Sequence, residues 1–202
     1  MRKIVAATFV SLDGVMQGPG GPEEDRAGGF DLGGWTVPFW QDDDLLGGAM
    51  GELFAEPFDL LLGRKTYDIF ASYWPRQVDQ PIADAFNRVT KFVATHEPET
   101  LAWKNSEWLG EDLVARLSEL KRQDGPRLLI QGSSNLIQTL LPAGLIDEFR
   151  LLIFPLVLGK GKRLFGEGAA PQALRLTGSL ASKNGVTLAT YVPAGDLVTG
   201  SF

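Results

Sequence analysis

The chain has 202 residues, of which 44% are hydrophobic and 22% charged, and it carries a formal net charge of −6. Binding to DNA or RNA depends on clustered Lys and Arg that neutralise phosphates, so this acidic balance argues against a nucleic-acid partner. The absence of cysteine excludes disulfides, thiolate metal ligands and a thiol nucleophile.

The first predicted strand covers residues 3–10 and leads into a long irregular segment, residues 11–41. The segment is rich in Gly and Pro, and a loop of this length in a compact domain is typical of a functional lid. The apolar run before it is too short for a secretory signal, and no stretch approaches about 20 apolar residues. We therefore expect no membrane span and a cytoplasmic location.

The rest of the chain alternates between helical and strand patterns. Apolar spacing predicts helices at residues 42–55, 65–73, 82–86, 111–122 and 135–141. Apolar runs predict strands at residues 58–62, 89–95, 127–130 and 146–154, followed by two strands at 173–180 and 186–192. This order predicts an α/β fold of one domain over residues 1–202, with a mostly parallel central sheet and an antiparallel C-terminal hairpin.

Polar residues cluster where three of these strands end. Ligands of open α/β sheets bind beyond the carboxyl ends of the strands, and the N-terminus of a following helix favours anions. We therefore predict a site for an extended phosphorylated ligand. Its candidate residues are Gly63, Arg64, Lys65, Thr66, Thr95, His96, Gly132, Ser133 and Ser134. Solvated cations in a loop and an ordinary serine-capped turn are the alternatives.

Other site signatures are absent from the sequence. His96 is the only histidine, which argues against a Ser-His-Asp triad and excludes a histidine metal cluster. Neither G-x-G-x-x-G after a strand nor G-x-x-x-x-G-K-[ST] occurs. The acidic run at residues 42–44 lacks the spacing of a calcium loop, and we interpret it as the first turn of a helix.

Four segments together resemble one known family: TFVSLDGV, LLLGRKTYDIF, FVAT and IQGSSNLIQTLLPAGLIDEFRLLIFPLVLGKGKRLF. Their order and spacing resemble the dihydrofolate reductase-like superfamily, and most closely the reductase domain of riboflavin biosynthesis. The resemblance implies a three-layer α/β fold, NADPH as cofactor, and direct hydride transfer without a metal or flavin. It implies a small polar heterocycle or a sugar-like carbonyl or imine as substrate, similar to a riboflavin precursor or a pterin. A non-catalytic NADP(H)-binding protein on the same scaffold is the alternative.

The resemblance also assigns residues to parts of the cofactor. The motif with Gly63, Arg64 and Thr66 matches the strand end that contacts the cofactor phosphates, and Lys65 lies within it. Arg64, Thr95 and His96 match positions near the 2′-phosphate. The turn with Gly132, Ser133 and Ser134 matches the one that holds the pyrophosphate, and Ser133 replaces a second glycine. Ala7 and the turn at residues 11–14 match the region of the nicotinamide and the substrate.

On the substrate side, we expect Ser11, Trp35, Phe39 and Trp40 to form a wall of the pocket, led into by a flexible glycine-rich stretch at residues 18–34. The alternative is that these aromatic side chains pack into the core. Trp40 aligns where dihydrofolate reductases place their acid, which argues against dihydrofolate as the substrate.

Two carboxyl groups are candidates for delivering a proton to the product, Asp13 and Asp42, with bound water as the alternative. A turn residue at position 13 and a helix cap at position 42 are their structural interpretations. The long apolar strand at residues 146–154 suggests coverage on both faces, and relatives with this segment commonly pair. We therefore predict a homodimer.

Overall fold

The computed structural model describes residues 1–201, whose strands form one eight-stranded sheet. The strands are β1 (Ile4–Ser11), β2 (Phe58–Gly63), β3 (Lys91–Ala94), β4 (Ser106–Trp108), β5 (Arg127–Gln131), β6 (Glu148–Phe154), β7 (Leu174–Ala181) and β8 (Thr187–Pro193). They lie in the order β4-β3-β2-β5-β1-β6-β8-β7. Strands β1 to β6 run parallel, whereas β8 is antiparallel to both β6 and β7. The predicted fold class is confirmed.

Five α-helices cover the sheet. They are α1 (Asp44–Ala55), α2 (Arg64–Tyr73), α3 (Pro81–Arg88), α4 (Leu113–Arg122) and α5 (Ser134–Leu140). Side chains alternate between the two faces along a strand, and β1 follows this rule. Ile4 and Ala6 join a core with α4 and α5, whereas Val5 and Ala7 join a second core with α1, α2 and α3. The result is three layers with β1 near the centre of the middle one.

Two details of the predicted elements need correction. The helix predicted from residue 42 begins at Asp44, and its N-cap is Asp43, whose side chain accepts a hydrogen bond from Leu46 N at 3.3 Å. Asp42 precedes the helix in a left-handed backbone conformation with φ 52° and caps nothing. Strand β4 was not predicted, because three residues with two exposed side chains carry no periodic pattern.

The chain crosses over so that the carboxyl ends of β2 and β5 lie side by side, next to the middle of β1. Leu60 pairs with Leu129 between β2 and β5, and Ala7 pairs with Gln131 between β5 and β1. Crevices at such crossovers are where α/β sheets bind ligands. Among the described residues, no helix is both long enough and apolar enough to cross a membrane.

Candidate functional site

A cleft of about 380 Å³ opens at these carboxyl ends. Its base is lined by Ala7 in the middle of β1, Gly63 at the end of β2 and Gln131 at the end of β5. This volume lies within the range of about 300–1,000 Å³ that is usual for small-molecule sites. Eight of the predicted cofactor residues line it, namely Ala7, Gly63, Arg64, Lys65, Thr66, Gly132, Ser133 and Ser134.

Ser133 joins two of the predicted strand ends into one unit. Its hydroxyl accepts a hydrogen bond from Gly63 N at 2.9 Å and donates one to Thr66 Oγ1 at 2.8 Å. The Ser133 backbone is left-handed, with φ 68° and ψ 64°. Such a conformation costs a non-glycine residue about 1–3 kcal/mol, so the two side-chain bonds help to hold it. We call Gly63, Thr66, Gly132 and Ser133 the polar corner.

Glycine is favoured at position 132 by the backbone conformation and not by a lack of space for a side chain. A Cβ at this position would lie 3.6 Å from Thr66 Cγ2, which is an ordinary contact. Its φ of 90°, however, is one that L side chains rarely adopt. A bulky substitution here would therefore move the polar corner.

The α2 helix begins at this corner and offers it free backbone donors. Its N-cap is Gly63, which makes no side-chain capping bond, so the first N–H groups of the helix have no cap. Lys65 is exposed in the first turn. Backbone N–H groups, a lysine and the hydroxyls of the polar corner together form a donor set that suits a phosphate.

Arg64 lies at the edge of the cleft and already has acidic partners. Its Nε lies 2.9 Å and 3.0 Å from the two oxygens of Asp68, and its Nη1 lies 3.3 Å from a Glu97 carboxylate oxygen. The bond to Asp68 raises the pKa of Arg64. Nη1 also lies 3.4 Å from Thr95 Oγ1. Arg64 thus connects the ends of β2 and β3.

The structure separates Thr95 and His96 from the other predicted cofactor residues. Neither lines the cleft, although Thr95 approaches it through Arg64. His96 is exposed. A ligand that reached Arg64 from the polar corner would extend toward these residues along the sheet edge.

The long loop supplies cleft residues that the sequence reasoning missed. Asp25 is 7% exposed and forms an ion pair with Lys162 Nζ at 2.6 Å, and both line the cleft. Gln17 Nε2 donates to the carbonyls of Asp25 and Ala27 at 3.0 Å and 2.9 Å, and Gln17 Oε1 accepts from Lys162 N at 2.9 Å. The sequence shows the opposite charges of PEED and GKGKR, but no local pattern brings these two segments together.

Glu24 and Asp25 are the cleft carboxyl groups, and their surroundings move their pKa values apart. Burial raises the pKa of Glu24, against the lowering effect of the Gly20 and Gly21 N–H groups. Burial also acts to raise the pKa of Asp25, but its bonds to Lys162 and Ala27 hold that pKa below its usual value. Glu24 therefore keeps its proton to a higher pH than Asp25 does.

The two predicted proton donors lie elsewhere. Asp13 accepts hydrogen bonds from Ser11 Oγ at 2.6 Å, Leu158 N at 3.1 Å and Gly159 N at 2.9 Å. The Ser11 bond, with those from Leu158 and Gly159, lowers the pKa of Asp13 to about 2. Neither Asp13 nor Asp42 lines the cleft, and Asp42 is exposed. In this structure Asp13 anchors its turn and Asp42 does not line the cleft, and the proton-donor role expected of both stays a prediction.

The predicted aromatic wall is a core cluster instead. The rings of Trp35 and Phe39 each lie 5.4 Å from that of Phe154, and Trp40 lies 6.5 Å from it. None of these predicted wall residues lines the cleft, and neither does Ser11, which is buried. Phe9, 5.6 Å from the Trp40 ring, is the aromatic residue of this cluster that reaches the cleft. The aromatic cluster thus supports the cleft wall from behind.

Two further features limit what the cleft can bind. Thr8 lines it and is 3% exposed, and its hydroxyl has no hydrogen-bond partner among the described residues. A buried unpaired hydroxyl is costly unless a ligand or water satisfies it. Within residues 1–201, no group of three or more His, Asp or Glu side chains is placed to hold a metal ion.

Comparison with known proteins relates most of the chain to one family. Residues 2–188 match the family model described as RibD C-terminal domain. The Bacillus subtilis (strain 168) protein named Uncharacterized protein YyaP is 26% identical over 196 residues, which is 94% of each chain.

Solved structures share the fold. One from Shewanella sp. PV-4, whose name assigns it to riboflavin biosynthesis, is 25% identical and superposes with a TM-score of 0.67 over 96% of this chain and 99% of that one. A dihydrofolate reductase from Enterococcus faecalis, complexed with NADP(H) and RAB-propyl, is 15% identical with a TM-score of 0.59 over 96% and 97% of the two chains. At this identity, the second likeness concerns the fold alone.

Proposed function

Because the chain belongs to the RibD C-terminal domain family, we propose that it is an NADPH-dependent reductase that acts on a small carbonyl or imine. The observation that carries the proposal is the polar corner, in which Ser133 ties Gly63 to Thr66 at the start of α2. A dinucleotide needs such a donor set for its pyrophosphate. The NADP(H) complex of the Enterococcus faecalis reductase, which has the same fold, supports the choice of cofactor.

In this proposal, the polar corner and the first turn of α2 bind the pyrophosphate, assisted by Lys65 and Ser134. Arg64 contacts the 2′-phosphate, with Thr95 beside it and His96 further along the edge. Ala7, in the middle of β1, would lie beside the nicotinamide. These donors fit the cofactor because they follow one another along the sheet edge in the order of its parts.

When bound, NADPH would supply a hydride for the carbon of a C=O or C=N bond and would leave as NADP⁺. The chain's task is to hold the reacting carbon in line and to exclude water. The oxygen or nitrogen of the substrate takes up one proton, which we assign to solvent or to Glu24, the cleft carboxyl that keeps its proton longest. Asp25 is unsuited to this task because its pKa is lowered.

The proposal is tested by titrating NADPH into the wild type, Gly132→Val and Gly110→Val. Gly110 is a matched control, since its φ of 83° is also positive and a Cβ there meets no atom within 4 Å. We expect Gly132→Val to lose at least about tenfold in affinity, equivalent to about 1.4 kcal/mol, while Gly110→Val binds as the wild type does. Normal NADPH binding by Gly132→Val would remove the cofactor from this cleft.

Turnover is a separate question from binding. If NADPH binds but neither carbonyl, imine nor pterin substrates oxidise it, the chain is a non-catalytic NADP(H)-binding protein. Steady-state oxidation of NADPH against a panel of these compounds decides between the two functions.

A further inference from the structure

Resting on the proposed function, we infer that the substrate carries no phosphate and places an uncharged apolar ring in one half of the cleft. This half, the apolar compartment, is lined by Phe9, Met50, Ile69, Phe70, Trp74 and Ile82. It lies on the face of the sheet that α1, α2 and α3 cover. The inference narrows the substrate beyond the carbonyl or imine of the proposed function.

The apolar compartment is formed by side chains from β1, α1, α2 and α3 and by Trp74, which follows α2. Met50 comes from α1, Ile69 and Phe70 from α2, and Ile82 from α3, and all of them face toward the cleft that Phe9 of β1 lines. Each of the six side chains is half-buried, so each keeps apolar surface that a ligand could cover. Burial of that surface favours an apolar ligand over a charged one.

The walls of the compartment are fixed before any ligand binds. The Phe70 ring stacks on Phe86 with centroids 5.6 Å apart, and the Trp74 ring lies 5.0 Å from the same Phe86. Phe9 rests against Trp40 at 5.6 Å. These ring contacts hold the aromatic surfaces of Phe9, Phe70 and Trp74 in place, and aromatic surfaces favour contact with another planar ring.

Each cationic side chain of the cleft either forms an ion pair or is expected to bind the cofactor. The cleft lining includes three cationic side chains, those of Arg64, Lys65 and Lys162. Lys162 is paired with buried Asp25, and Arg64 with Asp68 and Glu97. The cofactor itself carries three phosphate groups, which take Lys65 and compete for Arg64.

A substrate phosphate would therefore meet no spare cation among the described lining residues. The loop side of the cleft presents Glu24 and the Asp25–Lys162 ion pair, neither of which offers a free positive charge to a phosphate. Phosphorylated sugars are thus poor substrates for this chain, whereas a neutral ring ketone or ring imine matches both halves of the cleft.

The test uses the full chain saturated with NADP⁺ and two probes, the neutral bicyclic ketone 1-tetralone and ribose 5-phosphate. Isothermal titration calorimetry is expected to detect 1-tetralone binding and no binding of ribose 5-phosphate at the same concentration. Ile82→Ser should weaken 1-tetralone binding by about tenfold, because it removes several contacting methyl and methylene groups. Val78→Ser is the matched control, since Val78 is 77% exposed and lies outside the cleft lining.

Binding of ribose 5-phosphate at least as tight as that of 1-tetralone would overturn the inference, and so would equal effects of Ile82→Ser and Val78→Ser. Met50→Ser serves as a second variant if circular dichroism shows that Ile82→Ser does not fold. A wild type that binds no NADP⁺ is a different result, which overturns the proposed function and this inference with it.

Discussion

Ser133 shows how one side chain can set the geometry of a binding turn. Its left-handed backbone is unfavourable, yet its hydroxyl makes two bonds, to Gly63 N and Thr66 Oγ1. Hydrogen bonds of this kind contribute about 0.5–1.5 kcal/mol each, and glycine would remove the backbone cost. The residue therefore combines an unfavourable φ with a stabilising side chain.

We expect Ser133→Ala to lower the free energy of unfolding by about 1–3 kcal/mol, since both bonds are lost and the φ stays positive. Ser133→Gly should lose less, because glycine adopts this φ freely. Urea unfolding of both variants measures the difference. A larger loss in Ser133→Gly than in Ser133→Ala would contradict this explanation.

From the environment of Asp13 we predict that the stability of the protein depends on pH. The pKa of Asp13 in the folded protein is about 2, below the ordinary value of 3.8, chiefly because the Ser11 hydroxyl bonds its carboxylate. The contribution of Asp13 to folding stability is therefore complete above about pH 4 and is lost as the pH falls through about 2. Asp13→Asn should therefore be less stable than the wild type at pH 7, and the difference should shrink below pH 4. Thermal unfolding at several pH values measures it, and NADPH affinity at pH 7 should be unchanged. A stability difference that does not depend on pH would argue against this role.

From the position of Arg64 we predict a preference for NADPH over NADH. A charge-assisted bond contributes about 1.5–3 kcal/mol, and competition from Asp68 and Glu97 places the gain at the lower end, or about tenfold in affinity. The wild type should bind NADPH more tightly than NADH, and Arg64→Ala should abolish this preference. Asp68→Asn should increase it by freeing the guanidinium. Equal affinity of the wild type for both cofactors would rule out a 2′-phosphate contact.

At the scale of elements, the sequence predicted what has a local pattern. The strands next to the cleft and the helices after them follow apolar periodicity, and the polar residues after β2 and β5 indicated the cleft. The pairing of Asp25 with Lys162 could not be predicted, because it joins residues 137 positions apart. The packing of Trp35 and Trp40 against the core could not be predicted either, because an aromatic side chain in a loop can form a pocket wall or join the core.

The long loop gives a prediction at this scale. Lys162→Met leaves the carboxylate of buried Asp25 without its partner and should loosen the loop, because an uncompensated buried charge is costly. Trypsin should then cut after the exposed Arg26 faster than in the wild type. Lys160→Met is the matched control, since its pair with Asp31 is largely exposed. Equal cleavage rates in the two variants would show that the ion pair does not hold the loop.

At the scale of the whole molecule, the sheet ends in an uncovered edge. Strand β7 is exposed along nearly its whole length, and Leu176 and Leu180 on it are 49% and 62% exposed. An exposed edge strand without Lys or Pro is a template for pairing with another strand. We propose that a second copy of the chain covers β7 in a homodimer.

Sedimentation at micromolar concentration should show a dimer, and Leu176→Asp should shift it toward the monomer. Val157→Asp is the matched control, because Val157 is 73% exposed but lies outside β7. A wild type that sediments as a monomer would contradict the proposed pairing.

The most direct test is a crystal structure of the chain with NADPH. We predict that pyrophosphate oxygens lie within about 3 Å of donors in the polar corner and the first turn of α2. The nicotinamide should lie beside Ala7, with the apolar compartment open next to its reactive face. An ordered NADPH whose pyrophosphate lies away from Thr66 and Ser133, or whose nicotinamide lies outside the cleft, would contradict the proposed reductase site.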